Sequence, residues 1–243
     1  MHKRACAIAL ILVSIGLTTQ IALGATRLRP LETYRSALAR VQPPPNVVFE
    51  YLETRIGPER VVTEKHLVYR NRSGDERNET VAVNGSAVVP AFVRIYHRDA
   101  WPYDASQFAV SADAYAATYA GTTIVGGRRT YRYAVVAASP EAFAITDLFI
   151  DVDRYLPVKE SFSVSGSGCS GSGEIDFAPA AAYWMPLEIK TTCSTPGPST
   201  SDVAGANKPV VYRESIVFGN YRFPTAIPSE IFVAPGAAAP AGE

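Results

Sequence analysis

The alternation of apolar and polar positions divides the chain into an apolar N-terminal run, two segments with helical spacing and a long series of short strands. Residues 5–17 are almost continuously apolar. Leu31, Tyr34 and Leu38 then recur at helical steps, and a run of prolines ends that segment. From Asn46 onward, short stretches rich in Val, Ile, Tyr, Phe and Thr alternate with turn residues, which is typical of antiparallel β-structure.

About eleven strands are predicted from this pattern. They lie near residues 47–55, 61–71, 77–83, 87–97, 122–126, 129–138, 143–150, 157–166, 171–178, 184–193 and 210–219. The stretch 104–120 interrupts the series, because it is rich in Ala and its apolar residues recur at helical steps behind Asp104, a residue type that caps helices. We expect a helix here that covers the sheet as a lid, with Phe108, Tyr115 and Tyr119 as the lid residues.

The N-terminal run has the organisation of a secretory signal peptide. A basic start, His2 to Arg4, precedes the apolar run, and small residues follow it at 22–25. The run at 5–17 is much shorter than the roughly 20 residues that cross a bilayer. We therefore favour a signal peptide over residues 1–25, cleaved near Gly24 or Ala25, over an uncleaved anchor, and expect a periplasmic or secreted protein.

The remaining length suits one mainly β domain over residues 26–233, followed by a disordered tail at 234–243 that is rich in Ala, Pro and Gly. A mobile loop rich in Pro, Gly and Ser is expected at 194–208. Without Lys3 and Arg4, the mature chain carries 21 basic against 23 acidic residues. This balance indicates no nucleic-acid partner and at most a peripheral contact with a membrane.

Two cysteines follow the signal segment, Cys169 and Cys193, and a pair in an exported chain favours a disulfide. A hairpin centred on Ala181 would place the two cysteines opposite each other. The same register would pair Phe177 with Met185, and Ile175 with Leu187. Two unpaired buried thiols are the alternative.

The sequence offers little for catalysis or metal binding. His66 and His97 lie in or beside predicted strands without a metal-binding spacing, and no serine lies in a nucleophile elbow. Asp151 and Asp153 could share a cation, but aspartates in a turn more often bond the local backbone. We expect no enzyme activity and no cofactor.

Aromatic and aliphatic residues recur through the strands, and most of them are expected to be core. A curved sheet with an apolar concave face can also bind a hydrophobic ligand. The candidate lining residues are Phe49, Tyr51, Tyr131, Tyr133, Phe149, Phe162, Leu187, Ile216 and Phe218.

Two segments resemble a known family. Residues 148–159 resemble the strand, turn and strand of the periplasmic lipoprotein carriers, in which a Leu-aromatic-Ile-Asp stretch turns and returns through Leu-Pro. Residues 218–223 and 227–232 resemble that family's closing strand and terminal Pro-x-x-Phe element. The superfamily includes LolA, LolB and the N-terminal domain of RseB. The resemblance implies an unclosed half-barrel of about eleven antiparallel strands, with helices over the concave face.

Together these observations predict an exported, non-enzymatic protein that binds a lipid, an acyl chain or a lipoprotein in the concavity of a half-barrel. The alternative is an envelope sensor or scaffold module that binds another protein. A large apolar cavity would favour the first hypothesis, and a sheet filled by its own side chains would favour the second.

Overall fold

The computed structural model describes residues 29–166, 168–195 and 209–233. Eleven strands form one antiparallel sheet. They are β1 Val47–Ile56, β2 Val61–Arg70, β3 Asp75–Val83, β4 Ser86–His97, β5 Tyr115–Val125, β6 Arg128–Ala137, β7 Phe143–Asp151, β8 Pro157–Gly166, β9 Cys169–Ala180, β10 Tyr183–Thr195 and β11 Val210–Arg222. Helix α1 covers residues 29–38, and two short 3-10 turns cover Ala105–Phe108 and Ser229–Phe232.

The strand order explains why the sheet is curved and covered. In space the order is β4-β3-β2-β1-β11-β10-β9-β8-β7-β6-β5, so β4 and β5 are neighbours in sequence but lie at opposite edges. On a flat sheet those edges would be roughly 50 Å apart. The connection 98–114 contains turns and a 3-10 helix, so it is far from extended. The sheet therefore has to curl, and the connection has to cross its concave face. The prediction of an open half-barrel is confirmed.

Helix α1 forms as the sequence predicts. Leu31, Tyr34 and Leu38 are its buried residues, and each is at most 4% exposed. Their spacing places them on one stripe of the helix, which packs against the sheet. Among the described residues, no helix has the length and apolar character needed to cross a membrane.

The predicted helix over 104–120 is wrong. Asp104 does act as a cap, since its carboxylate accepts a hydrogen bond from the amide of Ser106 at 2.8 Å, but the element it caps is the 3-10 turn. From Tyr115 the chain is strand β5, in register with β6 from Tyr115 opposite Ala137 to Val125 opposite Arg128. Backbone pairing with β6 overrides the weak helix propensity of the alanines. The spacing of Tyr115 and Tyr119 is compatible with a strand, in which every second residue faces the same side, as well as with a helix.

The predicted disulfide between Cys169 and Cys193 is present, with 5.6 Å between the Cα atoms, but the predicted hairpin register is wrong. Phe177 lies opposite Pro186, and Ile175 lies opposite Ile189. The turn is centred between residues 181 and 182, and an irregularity between residues 186 and 188 shifts the pairing once more. Cys193 consequently faces Gly171, two residues along β9 from Cys169.

Three predictions from the sequence lie wholly or largely outside the described residues. They are the signal peptide at 1–25, the loop at 194–208 and the tail at 234–243.

Candidate functional site: the concave face

One buried cluster lies beneath α1, which we call the helix-side cluster. The helix contributes Leu31, Tyr34 and Leu38, and the connection contributes Ala105 and Val110. The sheet provides the floor of this cluster from strands β6 to β10. The floor residues are Tyr133, Val135, Ile145, Leu148, Ile150, Phe162, Ile175, Phe177 and Trp184.

A second cluster lies on β1, β2, β10 and β11, and we call it the Trp101 cluster. It is built around Phe49, which is fully buried. Trp101 comes from the connection and packs edge-on to Phe49, with 5.9 Å between ring centroids. Tyr103 packs against Phe218 at 5.0 Å. The connection therefore covers this half of the concave face with aromatic rings, as α1 covers the other half.

Two hydrogen bonds join α1 to the connection. The amide of Val110 donates to the hydroxyl of Tyr34 at 3.2 Å, and Nε of Arg35 donates to the carbonyl of Val110 at 3.0 Å. A small apolar cavity of about 240 Å³ lies between the two segments, lined mainly by Tyr34, Leu38, Ala109 and Val110. The helix and the connection thus form one cover with an apolar gap in it.

Glu160 lies under this cover and is fully buried. On β8 it alternates in phase with Val158 and Phe162, and its ladder neighbours are Leu148 and Ile175. Neither carboxyl oxygen has a hydrogen-bond partner among the described residues. Burial raises the pKa of Glu160 well above its ordinary value, so the neutral acid is favoured. Burial also raises the pKa of Tyr34, and the nearby Glu160 carboxyl raises it further.

An open cavity of about 500 Å³ adjoins the helix-side cluster at the end of α1. Its walls combine apolar and basic side chains, including Leu156, Trp184, Arg40 and Arg154. The guanidinium of Arg154 lies 5.8 Å from the centre of the Trp184 ring, whose Nε1 donates to the carbonyl of Pro157 at 2.7 Å. The indole is thereby fixed at the boundary between apolar interior and basic rim.

The concave face of β1 to β4 carries a different surface, a polar cleft of about 410 Å³. Its walls include Tyr51, Glu53, Glu64, His66, Glu76, Asn78, Arg94 and Arg98. Burial raises the pKa of Glu76, while Arg98 and Arg70 oppose that shift. The concave face is therefore apolar across most of the sheet and charged at one end.

The structure brings together seven of the nine residues that the sequence nominated as ligand-lining. Phe49, Tyr51, Phe218 and Ile216 belong to or contact the Trp101 cluster. Tyr131, Tyr133 and Phe162 belong to or contact the helix-side cluster. The nominated lid residues Phe108, Tyr115 and Tyr119 also contact the helix-side cluster. Their roles in binding stay predictions.

Phe149 and Leu187 lie elsewhere. Phe149 alternates with the buried Leu148 and Ile150, and it packs under Arg132, whose guanidinium lies 5.7 Å from its ring centre. Leu187 is 44% exposed. Both side chains therefore lie outside the two clusters.

Sequence reasoning missed Glu160, Trp101 and Trp184. The burial of Glu160 could have been predicted from the sequence, because Glu160 lies on the same face of a predicted strand as Val158 and Phe162. The two tryptophans lie at or beyond strand ends, where alternation does not predict burial.

The turn after β7 uses Asp151 as the sequence indicates. Its carboxylate accepts hydrogen bonds from the amides of Asp153 and Arg154, both at 2.9 Å. Burial alone would raise the pKa of Asp151, but these amides and Arg128 lower it. The prediction of local backbone bonding is confirmed.

No protein-family profile matches the sequence, and a comparison with curated proteins finds no match. Similar solved structures include a DUF1329 family protein from Desulfovibrio piger, at 11% identity and a TM-score of 0.43, covering 84% of this chain and 97% of that one. A LolA superfamily protein from Nitrosomonas europaea matches at 10% identity and 0.40, over 84% and 97%. A domain described as an outer membrane lipoprotein-sorting protein, from Vibrio parahaemolyticus, matches at 13% identity and 0.46, over 85% and 97%. This chain is thus distantly similar to each of these structures over most of its length.

Proposed function

We propose that this protein is an exported, non-enzymatic binding protein for a lipid, or for the acyl chain of a lipidated protein, on the concave face of its sheet. One observation carries the proposal: the apolar floor is covered by α1 and the connection 98–114 rather than by a second layer of sheet. Both segments contact the floor mainly through side chains. A cover of this kind can move without breaking the strand ladder.

The geometry also supports a ligand with an apolar and a polar part. The apolar cavity of about 240 Å³ lies within the cover, and the open cavity of about 500 Å³ at the end of α1 has apolar and basic walls. An acyl chain would gain about 0.8 kcal/mol for each methylene buried. Arg40 and Arg154 would then lie where an acidic headgroup of the ligand reaches solvent.

Displacing the cover has a cost that limits affinity and allows release. Tyr34 and Leu38 would exchange contacts with the floor for contacts with the ligand. A ligand that only replaces one apolar surface by another gains less binding free energy than a ligand that enters an empty cavity. This balance suits a carrier or sensor that must give up its ligand.

Native mass spectrometry tests the proposal. The chain, expressed with its own N-terminal segment in a bacterial host, would be recovered from the periplasm and analysed before and after organic extraction. We expect a stoichiometric lipid or acylated peptide. Recovery only from the cytoplasm would argue against export, and a clean apo mass after incubation with phospholipid vesicles would argue against lipid binding.

A pair of variants makes the test specific to the cover. Ala109→Phe fills the apolar gap, whereas Ala116→Phe adds the same ring at an exposed position of β5. We expect the first variant to lose bound lipid and the second to retain it. Equal retention by both would show that lipid binds somewhere other than under the cover.

A specific observation also favours a second candidate, a scaffold that binds another protein through a sheet edge. Both edge strands expose large apolar side chains, with Val89 at 88%, Phe92 at 56% and Ile124 at 74%. An unpaired edge can accept a strand from a partner. A clean apo mass combined with a stoichiometric protein in the same spectrum would select this candidate.

A further inference from the structure

His66 lies in the polar cleft between two carboxylates that face each other across the β1–β2 ladder. Glu53 pairs directly with Glu64 in that register. Like charges in this position destabilise a sheet unless a positive charge lies between them. Nε2 of His66 lies 3.4 Å from Oε2 of Glu64 and 3.8 Å from Oε2 of Glu53.

The imidazole is buried and fixed, with 5% of its surface exposed. It stacks on Tyr51, and its Nδ1 lies 2.9 Å from the side-chain carbonyl of Asn78. The amide group of Asn78 donates to the hydroxyl of Tyr51 at 2.9 Å, so the carbonyl faces the imidazole. Thr80 lies farther from Nδ1, at 3.5 Å. Nδ1 is therefore the nitrogen that carries a proton, and the lone pair of the neutral ring is on Nε2.

That lone pair faces the two carboxylates. Within the described part of the chain, Nε2 makes no hydrogen bond. A lone pair directed at two anions is unfavourable, so either a proton or a metal ion has to lie between Nε2 and the carboxylates. A histidine whose other nitrogen is bonded to a carbonyl is also the usual arrangement around a metal, because that bond fixes the ring and its tautomer.

Arg55 neutralises part of the charge but leaves the inner oxygens available. Its Nε lies 2.9 Å from Oε1 of Glu53, and one terminal nitrogen lies 2.6 Å from Oε1 of Glu64. The Oε2 atoms are the ones directed at His66. Arg55 thus orients both carboxylates and does not occupy the space between them and the imidazole. Glu214, beside Glu53, adds a further carboxylate to the same region.

We propose that Glu53, Glu64 and His66 bind a divalent transition-metal ion, with Zn²⁺ as the best match. The three donor atoms lie within 4.8 Å of one another. Ligands at about 2.0–2.2 Å from a tetrahedral zinc are roughly 3.3–3.5 Å apart, so His66 and Glu64 already have the required separation and Glu53 needs a small shift. One imidazole with two carboxylates favours zinc or manganese over magnesium or calcium, which prefer oxygen ligands alone.

The three residues would leave one coordination position of a tetrahedral ion, and a water molecule from the polar cleft could occupy it. The proposal needs no movement of the backbone, because all three ligands project from two paired strands. It is also independent of lipid binding. A protein that binds zinc and no lipid, or lipid and no zinc, would separate the two proposals.

Isothermal titration of Zn²⁺ into protein purified without a polyhistidine tag tests the site. We expect one zinc per chain, and at least tenfold weaker binding in Glu64→Gln and in Glu53→Gln. Both variants replace a partly exposed carboxylate by a neutral side chain of the same shape, so the fold should persist, as circular dichroism would check. His66→Gln should also lose binding, and because this residue is buried, its circular dichroism spectrum is compared with that of the wild type first.

His97→Gln is the matched control. His97 is an exposed histidine, and its Nδ1 lies 2.9 Å from Asp75, so it offers a second histidine and carboxylate pair outside the site. Zinc affinity should be unchanged in this variant, and Mg²⁺ or Ca²⁺ at equal concentration should not compete. The proposal is wrong if the wild-type protein binds no zinc, if both glutamine variants retain its affinity, or if His97→Gln alone abolishes binding.

Nitrogen-15 spectra of the imidazole provide a second measurement. Zinc should shift the Nε2 resonance of His66 and leave both nitrogens of His97 unchanged. A protonated Nε2 that persists at saturating zinc would mean that a proton, rather than a metal, separates the two carboxylates.

Discussion

The hydroxyl of Tyr34 accepts a hydrogen bond from the backbone amide of Val110, joining helix α1 to the connection that crosses the concave face. Both residues are completely buried. Because water does not reach this amide, its partner cannot be replaced by solvent.

Tyr34→Phe should therefore loosen the cover. The variant keeps the ring but leaves the Val110 amide unpaired, at a cost of about 1–3 kcal/mol. We expect faster hydrogen exchange in 29–38 and 105–112, with little change in β9 and β10. Tyr212→Phe, at a residue that is 44% exposed, is the control and should leave exchange in the cover unchanged. Uniform acceleration across the sheet would indicate global destabilisation instead.

Glu160 should make the stability of the protein fall as pH rises. Its pKa is raised in the folded state by burial, so the folded protein keeps this proton at a pH where the unfolded chain has lost it. The contribution of Glu160 to the free energy of unfolding is then greatest below the ordinary Glu pKa. It declines above that pH by up to about 1.4 kcal/mol per pH unit, until the folded-state pKa is reached.

Glu160→Gln should remove this decline, because the amide does not ionise. The two proteins should be similar in stability at pH 4, and the variant should be increasingly more stable at pH 6 and 8 in urea titrations. Glu59→Gln, at an exposed position, should follow the wild-type curve. Parallel curves for wild type and Glu160→Gln would mean that the carboxyl is not neutral in the folded protein.

Much of the fold follows from local pattern. The strands of this sheet are long, alternate regularly and end at clear turn residues, so periodicity and turn chemistry place nearly all of them. The exception is β5, where the alanines and aromatics of 104–120 fit two periods at once. Only pairing with β6, which no local pattern shows, selects the strand over the helix.

The site was less predictable than the fold. Alternation shows that Leu148 and Phe149 face opposite ways, but it does not show which of the two faces is concave, so it could not place Phe149 outside the two clusters. The contribution of Trp101 depends on which segment crosses the face, whereas the phase of Glu160 on its strand is visible in the sequence. The hairpin register was wrong by one residue because the turn is centred between residues 181 and 182. It was wrong by two residues beyond the bulge near Leu187, which has no clear sequence signal.

The disulfide between Cys169 and Cys193 should contribute substantially to stability. The cysteines are separated by 24 residues, and the chain-entropy model gives about 3 kcal/mol for a closed loop of this length. Adding a reductant should lower the urea midpoint of the wild-type protein. The same reductant should not affect the Cys169→Ser, Cys193→Ser double variant, which should itself unfold near the reduced midpoint. A midpoint that does not respond to reductant would show that the bond does not form in solution.

Phe49 should be among the most sensitive core residues. It is fully buried, and the rings of Tyr51, Trp101, Tyr103, Phe218 and Tyr221 all lie within 6.5 Å of its centre. Phe49→Ala removes the residue that packs the connection onto β1, and it should cost about 3–5 kcal/mol. Phe92→Ala makes the same change at a residue that is 56% exposed, and it should alter stability by no more than about 0.5 kcal/mol. Urea denaturation followed by tryptophan fluorescence measures both, since Trp101 reports directly on this cluster. A loss of less than 1 kcal/mol in Phe49→Ala would mean that the connection packs loosely over this half of the sheet, and that a ligand could enter there without displacing α1.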